Sequence, residues 1–225
     1  MFIKENLEKI KANIHEACKR VKRNPSEIKI IAVTKYVSIE TTMKALAAGI
    51  THLGENRDQG FIEKWETIGN VPTWHFIGTL QSKKVKTIID KVDYIHSLDR
   101  LSLAKEIDRR ANQQIKCFVQ VNAANEETKH GLTIEEVVPF IKELEQFQNI
   151  VVEGLMTMAP FTDNQDLLRH TFRKVKQLQQ EIQGLNLSYA PCRELSMGMS
   201  NDYVIAIEEG ATMVRIGTSL VGKEF

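Results

Sequence analysis

The chain has 225 residues, 42% hydrophobic and 26% charged, enough to bury a sizeable core as one large α/β domain or two small ones. Its 30 Lys and Arg against 29 Asp and Glu leave a net charge of +1, without the basic excess that a nucleic-acid backbone partner usually demands. No stretch approaches the ~20 apolar residues of a membrane span, and the N-terminal MFIKENLEKIKANI carries acids and no continuous apolar run, unlike a signal peptide.

The first predicted element is an amphipathic helix from about Phe2 to Val21, with Ile3, Leu7, Ile10, Ile14, Ala17, Cys18 and Val21 at helical spacing. Asn24-Pro25 ends it, because proline disfavours helix at the preceding residue. Strand-like runs follow at Ile28–Val33, His52–Leu53, Trp74–Ile77, Tyr94–His96, Lys116–Val121, Val151–Leu155, Glu194–Met197 and Met213–Ile216. Helical segments separate them, around 39–48, 57–67, 81–90, 101–112, 134–147, 165–182 and 202–209. β runs alternating with helices predict parallel strands with crossover helices. Eight such units predict an α/β fold, a single (β/α)8 TIM barrel spanning residues 1–225. An open doubly wound sheet is the competing arrangement, but its dinucleotide fingerprint G-x-G-x-x-G is missing where the first strand runs into Thr34-Lys35-Tyr36. The additional N-terminal helix is expected to pack outside the barrel, where an eighth helix would otherwise be missing.

Cys18, Cys117 and Cys192 are far apart and form no C-x-x-C pair, so no zinc signature or disulfide framework is expected. Reduced thiols in a cytoplasmic protein are the simplest reading.

In such barrels the active site lies at the C-terminal ends of the strands. Those ends carry Lys35, Glu55-Asn56, His75 to Gly78, Ser97 to Asp99, Asn122, Met156 to Met158, Ser196 to Asn201 and Arg215 to Thr218. Lys35 is the sharpest candidate. A lysine amine attacks an aldehyde only when neutral, and a desolvated position at a barrel mouth favours that form. A strand-end lysine reaching solvent explains the position equally simply. Gly217 and Thr218 offer backbone N–H groups and a hydroxyl where these barrels bind phosphate, and Ser196 to Asn201 could add donors. Gly-rich strand ends are also common turns. Glu55 and Asn56 read as well as a helix cap, His75 as a core or hydrogen-bonded histidine, and Lys83, Lys84 and Lys86 as a solvated helix face.

Together, IAVTK, GENRDQ, WHFIGTLQSKK, SLDR, Lys129-His130-Gly131-Leu132, GLMTM, LSMGMSND and GATMVRIGTSLVG resemble the pyridoxal phosphate homeostasis protein family (YggS/PROSC type), in the family's order and along the whole chain. The resemblance implies a barrel like the N-terminal domain of alanine racemase, carrying pyridoxal 5′-phosphate (PLP) as a Schiff base on Lys35. It further implies phosphate contacts from Ser200, Gly217 and Thr218, and Arg215 facing the pyridine nitrogen, with Asn56, His75, Met156 and Ser196 lining or approaching the cofactor. HLGEN stands where FGEN is common, LQSKK where LQSNK is common, and ANEETKHG replaces a serine-rich segment. None of these touches the lysine or the phosphate donors.

The function implied is intracellular PLP homeostasis: a cofactor carrier or buffer, with no catalytic residue established and no efficient turnover. PLP-dependent apoenzymes are the recipients this implies, and neither nucleic acid nor a membrane is an expected partner. Phe225 lies nine residues after Ile216, too close for the second domain that racemases of this fold use, and a monomer is expected. A PLP-dependent amino-acid racemase or lyase is the alternative, with Tyr36, His75 and Tyr203 as the titratable groups near strand ends. An aldolase-type enzyme using Lys35 on a phosphorylated sugar fits the spacing alone. Lys129 is a weak candidate for a second PLP site.

Overall fold

The computed structural model describes residues 2–126 and 130–224. Eight parallel strands close into a barrel in chain order: β1 (Lys29–Val33), β2 (His52–Glu55), β3 (Thr73–Phe76), β4 (Tyr94–Leu98), β5 (Ile115–Val121), β6 (Ile150–Thr157), β7 (Glu194–Met199) and β8 (Met213–Ile216). Closure comes from β1 pairing with β8, Ile31 opposite Arg215. The crossovers carry α2 (Ile39–Ala47), α3 (Asp58–Ile68), α4 (Val85–Ile88), α5 (Leu101–Arg110), α6 (Ile134–Glu143), α7 (Gln165–Gly184) and α8 (Tyr203–Glu208), and a short α9 (Thr218–Val221) follows β8. Local chemistry sets several starts. Ser38 accepts from the Thr41 amide ahead of α2, Asn164 does the same for Leu167 ahead of α7, and Thr133 with Glu136 forms a reciprocal capping box on α6.

The predicted first helix is α1 (Phe2–Arg20), which buries Ile3, Leu7, Ile10, Ile14, Ala17 and Cys18. It packs on the barrel's outside against α8 and α9, as expected. Asn13 donates to the Tyr203 hydroxyl at 2.8 Å, Asn6 to the Leu220 carbonyl at 3.1 Å, and Arg20 pairs with Glu208 at 2.6 Å. Most apolar side chains form one continuous layer between sheet and helices, while Ile31, Tyr94, Phe118, Met156 and Met213 form a separate cluster inside the barrel. The interior also encloses His75, His96, Ser196 and Arg215, all buried. These barrels are ordinarily filled by branched apolar side chains, so polar groups at the centre call for a structural reason. All three cysteines are free and buried. Burial pushes the Cys117 and Cys192 thiols up to about 12, which keeps them protonated and unreactive. Among the described residues no helix is long and apolar enough to cross a membrane.

Candidate cofactor site

A cavity of about 610 Å³ opens at the C-terminal ends of the strands. Six of the nine residues named from sequence line it: Lys35, Asn56, Ser200, Arg215, Gly217 and Thr218. Met156, His75 and Ser196 do not. Met156 belongs to the apolar interior cluster, and His75 and Ser196 lie fully buried. Tyr36 and Tyr203 are also absent from the wall. Tyr36 is half-exposed beside Lys35, and the Tyr203 hydroxyl is turned toward α1. Lys129 lies outside the described residues.

Lys35 follows β1 by two residues and is positioned by a buried frame beneath it. Lys64, on α3, donates to the Thr34 carbonyl and to Glu55, each at 2.6 Å, and the Thr34 hydroxyl donates to the same carboxylate oxygen at 2.5 Å. The Thr34 amide donates to the Gly54 carbonyl at 3.1 Å, locking the end of β1 to β2. The Lys35 ammonium itself makes a looser contact, 4.8 Å from the centre of the Tyr36 ring. The backbone is therefore fixed while the amine end keeps room to reach a ligand. Glu55 serves this frame and does not cap α3; the N-cap position is Arg57, which makes no side-chain cap bond. Lys64 was missed by sequence reasoning, although its spacing from buried Phe61 puts both on one helix face. Of the lysine face, Lys84 reaches Asp58 at 2.6 Å.

Beside β1 in the barrel, β8 and its neighbour β7 bring donors together. Ser219 donates to the Ser200 hydroxyl at 3.0 Å, tying the two loops. The Leu220 and Val221 amides of α9 donate to the Gly217 carbonyl, which leaves the Thr218 and Ser219 amides without an acceptor inside the helix. Gly198, at φ +94°, lets β7 turn tightly, since a Cβ there would sit 2.6 Å from that of Ala206. Arg215 is 4% exposed, and its guanidinium is held by the Ser196 carbonyl at 2.8 Å, the Ser196 hydroxyl at 2.7 Å and the Thr157 carbonyl at 2.9 Å. Burial lowers its pKa to about 10, partly offset by Asp202, so it remains cationic at neutral pH. Among the described residues no group of three or more His, Cys, Asp or Glu could hold a metal ion.

A family model described as "Alanine racemase, N-terminal domain" matches residues 6–224. The chain is 40% identical to a pyridoxal phosphate homeostasis protein of Aquifex aeolicus over 97% of both chains, and 36% identical to that of Haemophilus influenzae over 99% of this chain and 96% of the other. It belongs to the pyridoxal phosphate homeostasis protein family. The structure of PipY from Synechococcus elongatus with PLP bound is 32% identical, superimposes with a TM-score of 0.85 and is covered completely by 98% of this chain. Alanine racemase of Clostridium difficile is 18% identical with a TM-score of 0.79, and 97% of this chain covers 56% of that one, a likeness of fold alone.

In this homeostasis-family barrel, Gly78 shows how closely the mouth is packed. A Cβ at Gly78 would lie 2.2 Å from the Asn56 carbonyl oxygen and 2.8 Å from its Cα. Gly78→Ala is expected to displace Asn56 and to cost about 1–3 kcal/mol, as overpacking against backbone does. Thermal denaturation checks this, and an unchanged midpoint would show that the loop yields freely.

Proposed function

We propose that this chain holds PLP in the cavity at the barrel mouth and acts in intracellular PLP homeostasis as a carrier or buffer, without efficient turnover. The observation that carries the reading is the convergence of Lys35, buried Arg215 and the Ser200–Gly217–Thr218 donors on one cavity of about 610 Å³, within the roughly 300–1,000 Å³ of small-molecule sites. The donor set fits the group. Ser200, Ser219, Thr218 and the first two amides of α9 suit a phosphate, Asn56 supplies a further polar contact, and Lys35 supplies a primary amine to the same cavity.

When bound, PLP supplies an aldehyde reactive toward a primary amine and a ring that accepts electrons best when its nitrogen is protonated. Arg215 bears on the second property. Three of its donor directions are used by Ser196 and Thr157, and what it presents to the cavity is a cation that donates and never accepts. A ring nitrogen facing it stays unprotonated, which favours retention over carbanion chemistry. His75, Met156 and Ser196 lie beneath the wall: Ser196 holds Arg215 directly, His75 bonds His96, and Met156 packs in the interior cluster.

The same reading treats residues 1–225 as a single PLP-binding domain, monomeric and cytoplasmic, with PLP-dependent apoenzymes as recipients. Three free, buried thiols accord with a reducing compartment.

The test is to add PLP to the purified protein, record the visible spectrum, reduce with borohydride and map the added mass. Attachment on Lys35 with negligible racemase or lyase turnover is the expected result. Attachment spread over surface lysines, or turnover well above that of free PLP, would refute it.

A further inference from the structure

A column of hydrogen bonds crosses the barrel from its N-terminal face to Arg215. His52 Nδ1 lies 2.9 Å from His75 Nε2, His75 Nδ1 lies 2.9 Å from His96 Nε2, and His96 Nδ1 lies 3.0 Å from the Ser196 hydroxyl. That hydroxyl in turn accepts from Arg215 at 2.7 Å. His52 is half-buried and lines a small polar cleft with Asp93, Tyr94 and Lys116 on the opposite face from the cofactor cavity. His75 and His96 are fully buried.

The direction of the column follows from donor and acceptor counting. A neutral imidazole donates from one nitrogen and accepts at the other, whereas a guanidinium only donates. Arg215 occupies one lone pair of Ser196, and among the described residues the only acceptor in reach of the Ser196 proton is His96 Nδ1, so the arrangement that strands no buried donor sends that proton to His96. His96 must then donate from Nε2 to His75 Nδ1, and His75 from Nε2 to His52 Nδ1. Every proton points away from the buried cation, the orientation its field favours. The rings are held against reorientation. His75 stacks on Tyr94 with centroids 4.6 Å apart and planes at 9°, and His96 on Phe118 at 4.2 Å and 20°.

We propose that His96 is a positioning residue for Arg215, acting through Ser196, and that His75 and His52 extend the column so that protonation of His52 on the far face alters the hydrogen bonding of Arg215 on the cofactor side. A proton on His52 Nδ1 would confront the His75 Nε2 proton. Relief requires all tautomers to reverse, which leaves the Ser196 hydroxyl proton without its acceptor beside Arg215. The groups facing His52 are Lys29 from β1, itself paired with Glu194 of β7, Asp93 before β4, His75 of β3, and Tyr94 and Lys116 lining the same cleft. His96 faces His75 and the Arg215 cation. Burial, first, and then the neighbouring imidazoles and Lys29 push His75 well below the ordinary imidazole range; burial and then the Arg215 cation do the same to His96, and burial lowers His52 as well. The column is accordingly neutral at physiological pH and opens to protons from the His52 end in acid.

The experiment is ¹⁵N NMR of the protein without PLP, so that its outcome does not depend on the cofactor reading on which the term "cofactor side" rests. All three histidines are expected as Nε2–H tautomers at neutral pH, and the Arg215 side-chain resonances are expected to shift with the His52 titration. In His52→Gln, which cannot titrate, that shift is expected to disappear. A His96 Nδ1–H tautomer, or Arg215 resonances indifferent to His52, overturns the proposal. With PLP added, the ratio of affinities at neutral and acid pH should be larger in the wild type than in His52→Gln by roughly fivefold, the worth of one hydrogen bond; equal ratios also overturn it. Failure of the wild type to bind PLP at any pH strikes the cofactor reading alone.

Discussion

Lys35→Ala is expected to abolish the visible absorbance of protein-held PLP while leaving the barrel's stability within about 0.5 kcal/mol. The two halves of that expectation have separate causes. Lys35 is half-exposed, and among the described residues its ammonium rests against the Tyr36 ring, so truncation opens no cavity and strands no buried group there. It does remove the primary amine that lines the cavity with Arg215. Phosphate donors at Ser200, Gly217 and Thr218 remain, so the variant should keep weak, non-covalent PLP binding that inorganic phosphate competes away. Lys35→Arg preserves the cation beside Tyr36 but offers no amine, and should lose the absorbance equally. A spectrum unchanged in either variant would remove Lys35 from its assigned role.

Lys64→Met carries the largest expected loss of stability, about 3–5 kcal/mol, because it leaves the Glu55 carboxylate buried without its partner. Side chains of Lys64 and Glu55 are 7% and 2% exposed and 2.6 Å apart, so water cannot replace the lost ammonium. For a chain of this size such a loss lowers the midpoint of thermal unfolding by roughly 10 °C or more. The Thr34 carbonyl loses its Lys64 donor at the same time, so the end of β1 loosens and PLP retention by Lys35 should weaken in parallel. Adding Glu55→Gln to Lys64→Met removes the charge as well and should recover part of the stability. A midpoint unmoved by the single substitution, or no recovery in the double, would refute the frame.

The order of strands and helices could be read from the chain because each depends on local pattern: short β-rich runs, helical periodicity between them, and a proline after the first helix. Lys35, Ser200, Arg215, Gly217 and Thr218 could be read for a related reason, since each sits at the end of a strand and a barrel gathers its strand ends into one mouth. What lay beyond reach depends on register. In a closed barrel both faces of every strand are buried, so alternation does not say whether His75 faces helices or lumen. The Thr34–Glu55–Lys64 frame joins residues 21 and 30 positions apart from Thr34, and the His96–Ser196 bond joins two that are 100 apart. Only the closed sheet brings them together.

By itself, then, the sequence determined the fold class and six of the nine named residues that line the cavity at the barrel mouth, through periodicity, strand-end position and motif. Tertiary structure alone decided what holds those residues in place: a buried ion pair under Lys35, and a line of histidines behind Arg215. Each exists because strand pairing sets distances between side chains that no local pattern encodes.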